Sequence, residues 1–303
     1  MMNSPFVAFL IFTGLLLTLP AAADEAKSFT LKVSRPPHPG DKSLEHFKMT
    51  SEEARKVIMD GKKLKGEAED VRGEATGILE VLEVSPHGHA QKIKFTVEKF
   101  KCQKDVEAEA EPFKAGTVIA GNLGGDGKET FTVDGGEIDA TAAKVLKAVL
   151  ELTKDSETDV TDDIIFRTSQ PHAAGSEWEM DKAAIIKSFS KDMPFKLAEK
   201  EVSATVKFAA VKMIEGTECA VLRPQAIMKP TVFKGMPEGF KARTAHFKLG
   251  GEVTIPLDEK LISPSEKSTL DMSLNGTFDS PNGMVEMEVF SRMERERESK
   301  PVK

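Results

Sequence analysis

The chain has 303 residues, a formal charge of −7 at pH 7 and a pI near 5.6, a balance that disfavours nucleic-acid binding, which usually requires a clustered basic face. Its two cysteines, Cys102 and Cys219, exclude a disulfide-stapled scaffold and leave two readings open, one bond between them or two buried free thiols. Eighteen Phe against one Trp and no Tyr point to a packed apolar interior and away from an aromatic carbohydrate-binding platform.

From Phe6 to Leu19 the chain is almost wholly apolar, and it then reads Pro20, Ala21, Ala22, Ala23, Asp24. A short apolar run ending in a small A-x-A site predicts a secretory signal peptide over residues 1–23, cut after Ala23. A retained membrane anchor needs about 20 apolar residues. This run is shorter and is interrupted by Thr13, Gly14 and Thr18. No other long apolar run follows, so the mature chain is expected to be exported, periplasmic or extracellular, with no transmembrane segment.

Period-two patterns dominate the remainder. Residues 29–33 alternate and stop at a Pro-rich turn, Pro36, Pro37, His38, Pro39, Gly40. Residues 50–64 carry both a helix-cap pattern at Thr50 and a hairpin pattern centred on Asp60 and Gly61, and the hairpin is the preferred reading. Residues 78–84 and 93–97 flank the turn at Ser85–Gly88, and the slip from odd to even apolar positions between Val97 and Phe100 predicts a β-bulge. Asp134, Gly135 and Gly136 form a tight turn between 131–133 and 137–138.

Residues 139–152 read as a helix, with Asp139 or Thr141 as its cap and Val145, Leu146, Val149 and Leu150 on one face. An acidic stretch follows at 154–163. Residues 181–189 suggest a short second helix. Beyond them lie a hairpin about Glu215–Thr217 and extended segments at 245–249, 251–255, 269–274 and 284–290. The mixed charges of 292–300 read as a solvated end of the last strand, with 299–303 as a tail.

Three pairs of landmarks recur in the same order: Pro37–Asp41 with Pro171–Ser176, the Gly88 hairpin with the Gly216 hairpin, and Leu123-Gly124-Gly125 with Leu249-Gly250-Gly251. The expected fold is therefore mainly β with minor helix. Two similar antiparallel β-rich halves, 24–138 and 170–298, would form a curved sheet or barrel-like body, with one helix and an acidic linker, 139–169, between them.

Chemistry-bearing patterns are sparse. His87 and His89 stand in a turn without the third and fourth ligands that zinc needs. The acidic stretch 154–163 lacks the glycine of a calcium loop. Gly121–Gly127 runs into a strand rather than a helix and so does not cradle phosphate. No metal, cofactor or catalytic residue is assigned. Asn275-Gly276-Thr277 is a glycosylation sequon only where the source glycosylates asparagine.

The segment around Pro171, Gly175, Ser176 and Trp178, the strand-turn-strand 202–222 and the run 248–253 resemble exported bacterial β-rich proteins filed as domains of unknown function, in which a Pro…Gly-Asp/Ser-x-Trp segment opens the second half. That resemblance implies fold and compartment but no activity. Set against Pro37–Gly40, the same segment reads as the second copy of an entry turn, in which Pro171 and Gly175 would shape a loop and Trp178 would anchor packing. The functional expectation is a non-enzymatic exported protein that binds an apolar or lipid-like small molecule or a cell-envelope component, or serves structurally. The alternative is a secreted hydrolase whose carboxylate and His groups meet only in the fold.

Overall fold

A computed structural model describes residues 27–150, 152, 160–189, 195–261 and 264–302. The expected signal peptide and most of the acidic stretch lie outside these residues. In chain order the first part gives β1 (Ser28–Phe29), β2 (Lys42–Met59), β3 (Lys62–Val84), β4 (Ala90–Lys104), β5 (Val118–Leu123), β6 (Glu129–Val133), β7 (Gly136–Glu137) and α1 (Ala140–Leu150). Then follow α2 (Asp162–Phe166), β8 (His172–Ala173), β9 (Glu177–Glu179), α3 (Lys182–Phe189), β10 (Phe195–Lys196), β11 (Val202–Ile214) and β12 (Thr217–Met228). The chain closes with β13 (Val232–Phe233), β14 (Lys241–Pro256), β15 (Ser265–Ser280) and β16 (Gly283–Pro301).

Twelve strands form one antiparallel sheet in the order β7-β6-β5-β4-β3-β2-β16-β15-β14-β12-β11-β9. The chain starts in the middle at β2, winds out to β7, crosses to the far edge at β9 and winds back to β16 beside β2. The sheet is open, with β7 and β9 as its edges, so it is not barrel-like, and two α-helices, α1 and α2, lie in the segment 139–169 where one was expected, while α3 falls where the short second helix was read.

Local chemistry explains the elements. Asp60, at φ 47°, and Gly61, at φ 77°, turn β2 into β3, the left-handed pair that a tight hairpin requires. The slip after Val97 is a bulge: Thr76 pairs with Lys99 and Gly77 with Val97, leaving Glu98 unpaired. The Asp139 carboxylate accepts hydrogen bonds from the backbone N–H groups of Thr141 (2.8 Å) and Ala142 (3.1 Å), capping α1. Gly124 and Gly125 lie in the β5–β6 turn. Gly250 and Gly251, by contrast, lie mid-strand in β14, so the third pair of landmarks is not equivalent. The expected C-terminal tail is a correction too: β16 stays paired with β2 as far as Pro301, because its alternate residues face a buried partner.

Both hydrophobic cores sit on one face of the sheet. The first packs Phe47, Met49, Val71, Ala75, Phe95, Phe100 and Cys102 beneath Val145, Leu146 and Val149 of α1. Close approach is demanded at Gly73, where a Cβ would run into the Val145 side chain. The second packs Val202, Ala204, Val206, Phe208, Leu222, Met228 and Phe247 with Ile185 of α3 and Leu31 of the N-terminal segment. Between the two cores the sheet is carried by the long strands β2, β16 and β15.

Candidate functional site

The register fixes what faces the space between the cores. Successive side chains alternate faces, so the face that carries Phe47 also carries Arg297, Arg295, Met293, Ser291, Val289, Met287 and Val285 of β16. On β15 it carries Ser268, Leu270, Met272 and Leu274. Leu270, Met272, Met287, Val289 and Met293 are half-buried, and Leu274 and Val285 are buried. An apolar stripe therefore runs along β15 and β16 on the core side of the sheet. From β2 to β14 are three strand spacings, so the stripe floors a trough about 14 Å across.

One wall is α1. There a groove of about 500 Å³ is lined by Met49, Met293, Ala140, Ala143, Ala148, Lys144 and Lys147. Lys144 reaches down to Glu53 of β2 (3.1 Å) and Glu69 of β3 (2.6 Å), beside the trough. Burial alone would lower the Lys144 pKa, but the hydrogen bonds it donates to Glu69 and Glu53 outweigh that and raise it. Hydrogen bonds from Lys144 and Lys104 hold the Glu69 carboxyl below the usual carboxylate range. Lys147 is exposed at the groove and has no ion pair among the described residues. The Arg295 guanidinium donates to the Ala148 carbonyl at 3.1 Å, tying the end of α1 to the floor.

The opposite wall is the β10–β13 ribbon and the chain after it. The rings of Phe247, Phe195, Phe233 and Phe240 touch in sequence, with centroids 4.2, 6.4 and 5.9 Å apart. Phe240 lies over Gly276 of β15, where a Cβ would collide with the ring. At one end of the trough the buried Glu45 carboxylate accepts from Arg297 Nε at 2.8 Å and Nη2 at 2.9 Å, and from Ser43 and Ser299 Oγ at 2.5 and 2.7 Å. Arg297 also lies over the Phe47 ring, 5.8 Å from its centroid. This cluster is saturated and locks β2 to β16.

The residues singled out by sequence lie elsewhere. Gly175, at φ 88°, is exposed in the loop before β9, and its N–H donates to Phe208 O at 2.6 Å. Pro171 is exposed at the start of the same loop. Trp178 is half-buried on the second core. Its indole N–H donates to Phe166 O at 2.6 Å and its ring stacks on His172 at 3.6 Å. Cys102 and Cys219 are both buried free thiols, and the disulfide that the sequence left open does not form between them. Their strands, β4 and β12, are six strand spacings apart along the sheet, about 29 Å, against the ~7 Å a disulfide spans. Burial pushes both thiols up, with Asp139 and Glu109 adding at Cys102 and Arg35 opposing at Cys219. No three His, Cys, Asp or Glu side chains converge as metal ligands among the described residues.

Sequence reasoning placed strands over 269–274 and 284–290 but did not separate their residues from core. The signal was weak, because half-buried Met and Leu alternate just as fully buried ones do.

No protein-family model matches the chain, and no curated sequence does. Among solved structures it is similar to lipovitellin, in a study of lipid–protein interactions, at TM-score 0.31 and 9% identity over 84% of this chain; it spans 25% of that one. It is also similar to the outer membrane protein OprG of Pseudomonas aeruginosa (TM-score 0.18, 6% identity, 89% of this chain and 100% of that one). An outer membrane channel of Pseudomonas putida gives TM-score 0.19 and 8% identity, with 89% and 100% coverage. Likeness at this level assigns no ligand. No helix among the described residues is long and apolar enough to cross a membrane.

Proposed function

We propose that the protein is an exported, non-enzymatic binding protein whose trough takes an apolar, acyl-chain ligand. The observation that carries this reading is the stripe of Leu270, Met272, Met287, Val289 and Met293. It lies on the same face as the two cores; Met272 borders the second core and Met293 borders α1, while Leu270, Met287 and Val289 belong to neither core among the described residues. Apolar side chains left in that state mark a ligand surface, and Met adapts to flexible chains better than branched residues do. Lys147 at the groove offers a cation for an anionic head group. The paired state of Glu53, Glu69 and Glu45 supports binding over hydrolysis, since none of them is held as a free acid or base beside the groove.

The same reading keeps the signal peptide over 1–23 and a place among the exported β-rich proteins that the Pro171–Trp178 segment resembles. It also retains two similar halves: β2 to β7 and β9 to β16 each contribute six consecutive strands to the sheet. Gly88 and Gly216 turn the second strand of each set into the third.

The test is mass spectrometry of small molecules extracted from natively purified protein, with displacement of a fluorescent fatty acid in solution. Wild type should yield a lipid-like molecule and bind the probe. Val289→Glu should weaken probe binding at least tenfold, as expected for about 1.5 kcal/mol or more of lost apolar burial. Absence of both signals, or equal binding by the variant, would return the protein to a scaffold role.

A further inference from the structure

The two central hairpins end side by side. Asp60 of the β2–β3 turn donates its N–H to Met284 O at 3.2 Å, and Met59 pairs with Val285, so the Asp60–Gly61 turn and the turn at residues 281 and 282 form one tip. This tip lies beyond both cores. The apolar stripe runs to it, through Met287 and Val285 of β16 and Phe278 of β15, which is paired with Val285. β14 also starts there, with Lys241 paired to Thr277.

The chemistry of the tip departs from that of the molecule. Residues 55–65 hold Arg55, Lys56, Lys62, Lys63 and Lys65 against the single acid Asp60, in a chain whose net charge is −7. Of the nearby acids, Glu286 is held by Arg243 (2.7 Å), Glu288 by Lys56 (3.2 Å) and Glu67 by Lys65 (2.7 Å), whereas Asp60 and Asp279 at the tip carry no ion pair among the described residues, so the cations outnumber the acids there. Lys62, Lys63 and Lys241 carry no ion pair among the described residues. Among these cations two large apolar side chains project into solvent, Leu64 at 57% exposure and Met284 at 52%.

We infer that this tip is a docking surface for an anionic lipid bilayer. Cations near such a surface are drawn by its negative potential, and apolar side chains on a turn add by entering the interface between head groups and acyl chains. A filled-core hairpin end has no packing need for an exposed Leu and Met amid unpaired lysines. A protein partner with an acidic face would use the same cations but would not need the apolar pair to enter it. The inference rests on the trough being an acyl-chain site, because docking here brings the end of the stripe to the membrane from which such a chain is drawn or to which it is returned.

The test is sedimentation of the purified protein with vesicles of phosphatidylcholine alone and of phosphatidylcholine with phosphatidylglycerol. The protein should sediment with the second and not the first, and less so as salt is raised. Lys62→Glu with Lys63→Glu should lower that partition at least about tenfold, and Leu64→Ser should lower it further while leaving the circular dichroism unchanged. Equal sedimentation with both vesicles, none with either, or a charge-reversed variant that sediments like wild type overturns the inference. Fatty-acid displacement without vesicles separates the two readings. Variants that still bind the probe but no longer sediment support docking. A wild type that sediments with anionic vesicles yet binds no probe supports docking and overturns the acyl-chain reading alone.

Discussion

Trp178 shows how one side chain serves several neighbours. Its ring lies between His172 and the second core, and its N–H ends on the Phe166 carbonyl at the last residue of α2. It therefore joins the loop before β9, a short helix and the sheet. We predict that Trp178→Ala costs about 3 kcal/mol, near the low end for truncating a large aromatic because the ring is half-buried. Trp178→Phe should cost about 1 kcal/mol through the lost hydrogen bond. Urea unfolding of the three proteins checks this, and an Ala variant as stable as wild type would strip Trp178 of its anchoring role. At this scale the sequence was partly legible. A lone Trp beside Pro171 and Gly175 read as architecture, but nothing in the spacing announced the His172 stack. The Cys102–Cys219 pair was beyond reach in principle, because which strands are neighbours is decided by how the chain returns to its middle, not by local pattern.

The N-terminal segment acts as an element although little of it is regular. Phe29, Leu31 and Val33 pack on the second core, and the Arg35 guanidinium donates to the carbonyls of Pro256 (2.7 Å), Asp258 (2.9 Å) and Leu261. Asp163 clamps it from the other side, accepting from Val33 N (2.7 Å), Lys32 Nζ (2.6 Å) and Thr168 Oγ1 (3.1 Å). Burial alone would raise the Asp163 pKa, but Lys32, the Val33 N–H and Thr168 outweigh it and hold it below the ordinary value. A depressed folded pKa stabilises fully above the unfolded value, about 3.9, and that contribution is lost as pH falls through the folded one. Acidification through and below pH ~4 should therefore release the segment to proteolysis ahead of the sheet. Asp163→Asn should show the same release at neutral pH and little further change in acid. A segment equally protected in both proteins would remove the clamp from the account.

Hairpins and α1 were legible because their turn and cap residues have few uses other than the ones found. Gly250 and Gly251 misled for a physical reason. A Cβ at Gly251 would strike the Lys267 carbonyl of the neighbouring strand, so the glycine serves close backbone approach rather than a turn. The trough was not legible at all, since alternation gives which residues share a face and not whether anything covers them.

Across the whole molecule, one seam joins what the chain builds first to what it builds last. Glu45 and Arg297 are 252 residues apart in sequence and form its centre, with the carboxylate at 0% exposure and the guanidinium at 41%. Removing one partner of a buried pair strands the other, which costs 3–5 kcal/mol in dry interiors. With Arg297 half in water, Glu45→Gln should cost about 2–3 kcal/mol. Hydrogen exchange should accelerate first in the β2–β16 ladder, with the two cores keeping their protection; uniform acceleration across both cores would show instead that seam and cores open as one unit.

The way the sheet tapers has a consequence for crowded conditions. Its strands shorten from 18 and 19 residues at β2 and β16 to two at β7 and three at β9. The outer side of β4 is bridged from Cys102 to Ala110, and that of β11 is met by Gly175, Ser176 and Met180. The exposed rims also carry Glu137, Glu177 and Glu179. A bare rim is where foreign strands add and aggregates begin. Twelve strands wide, this sheet offers a second copy only a few unpaired backbone groups, guarded by like charge.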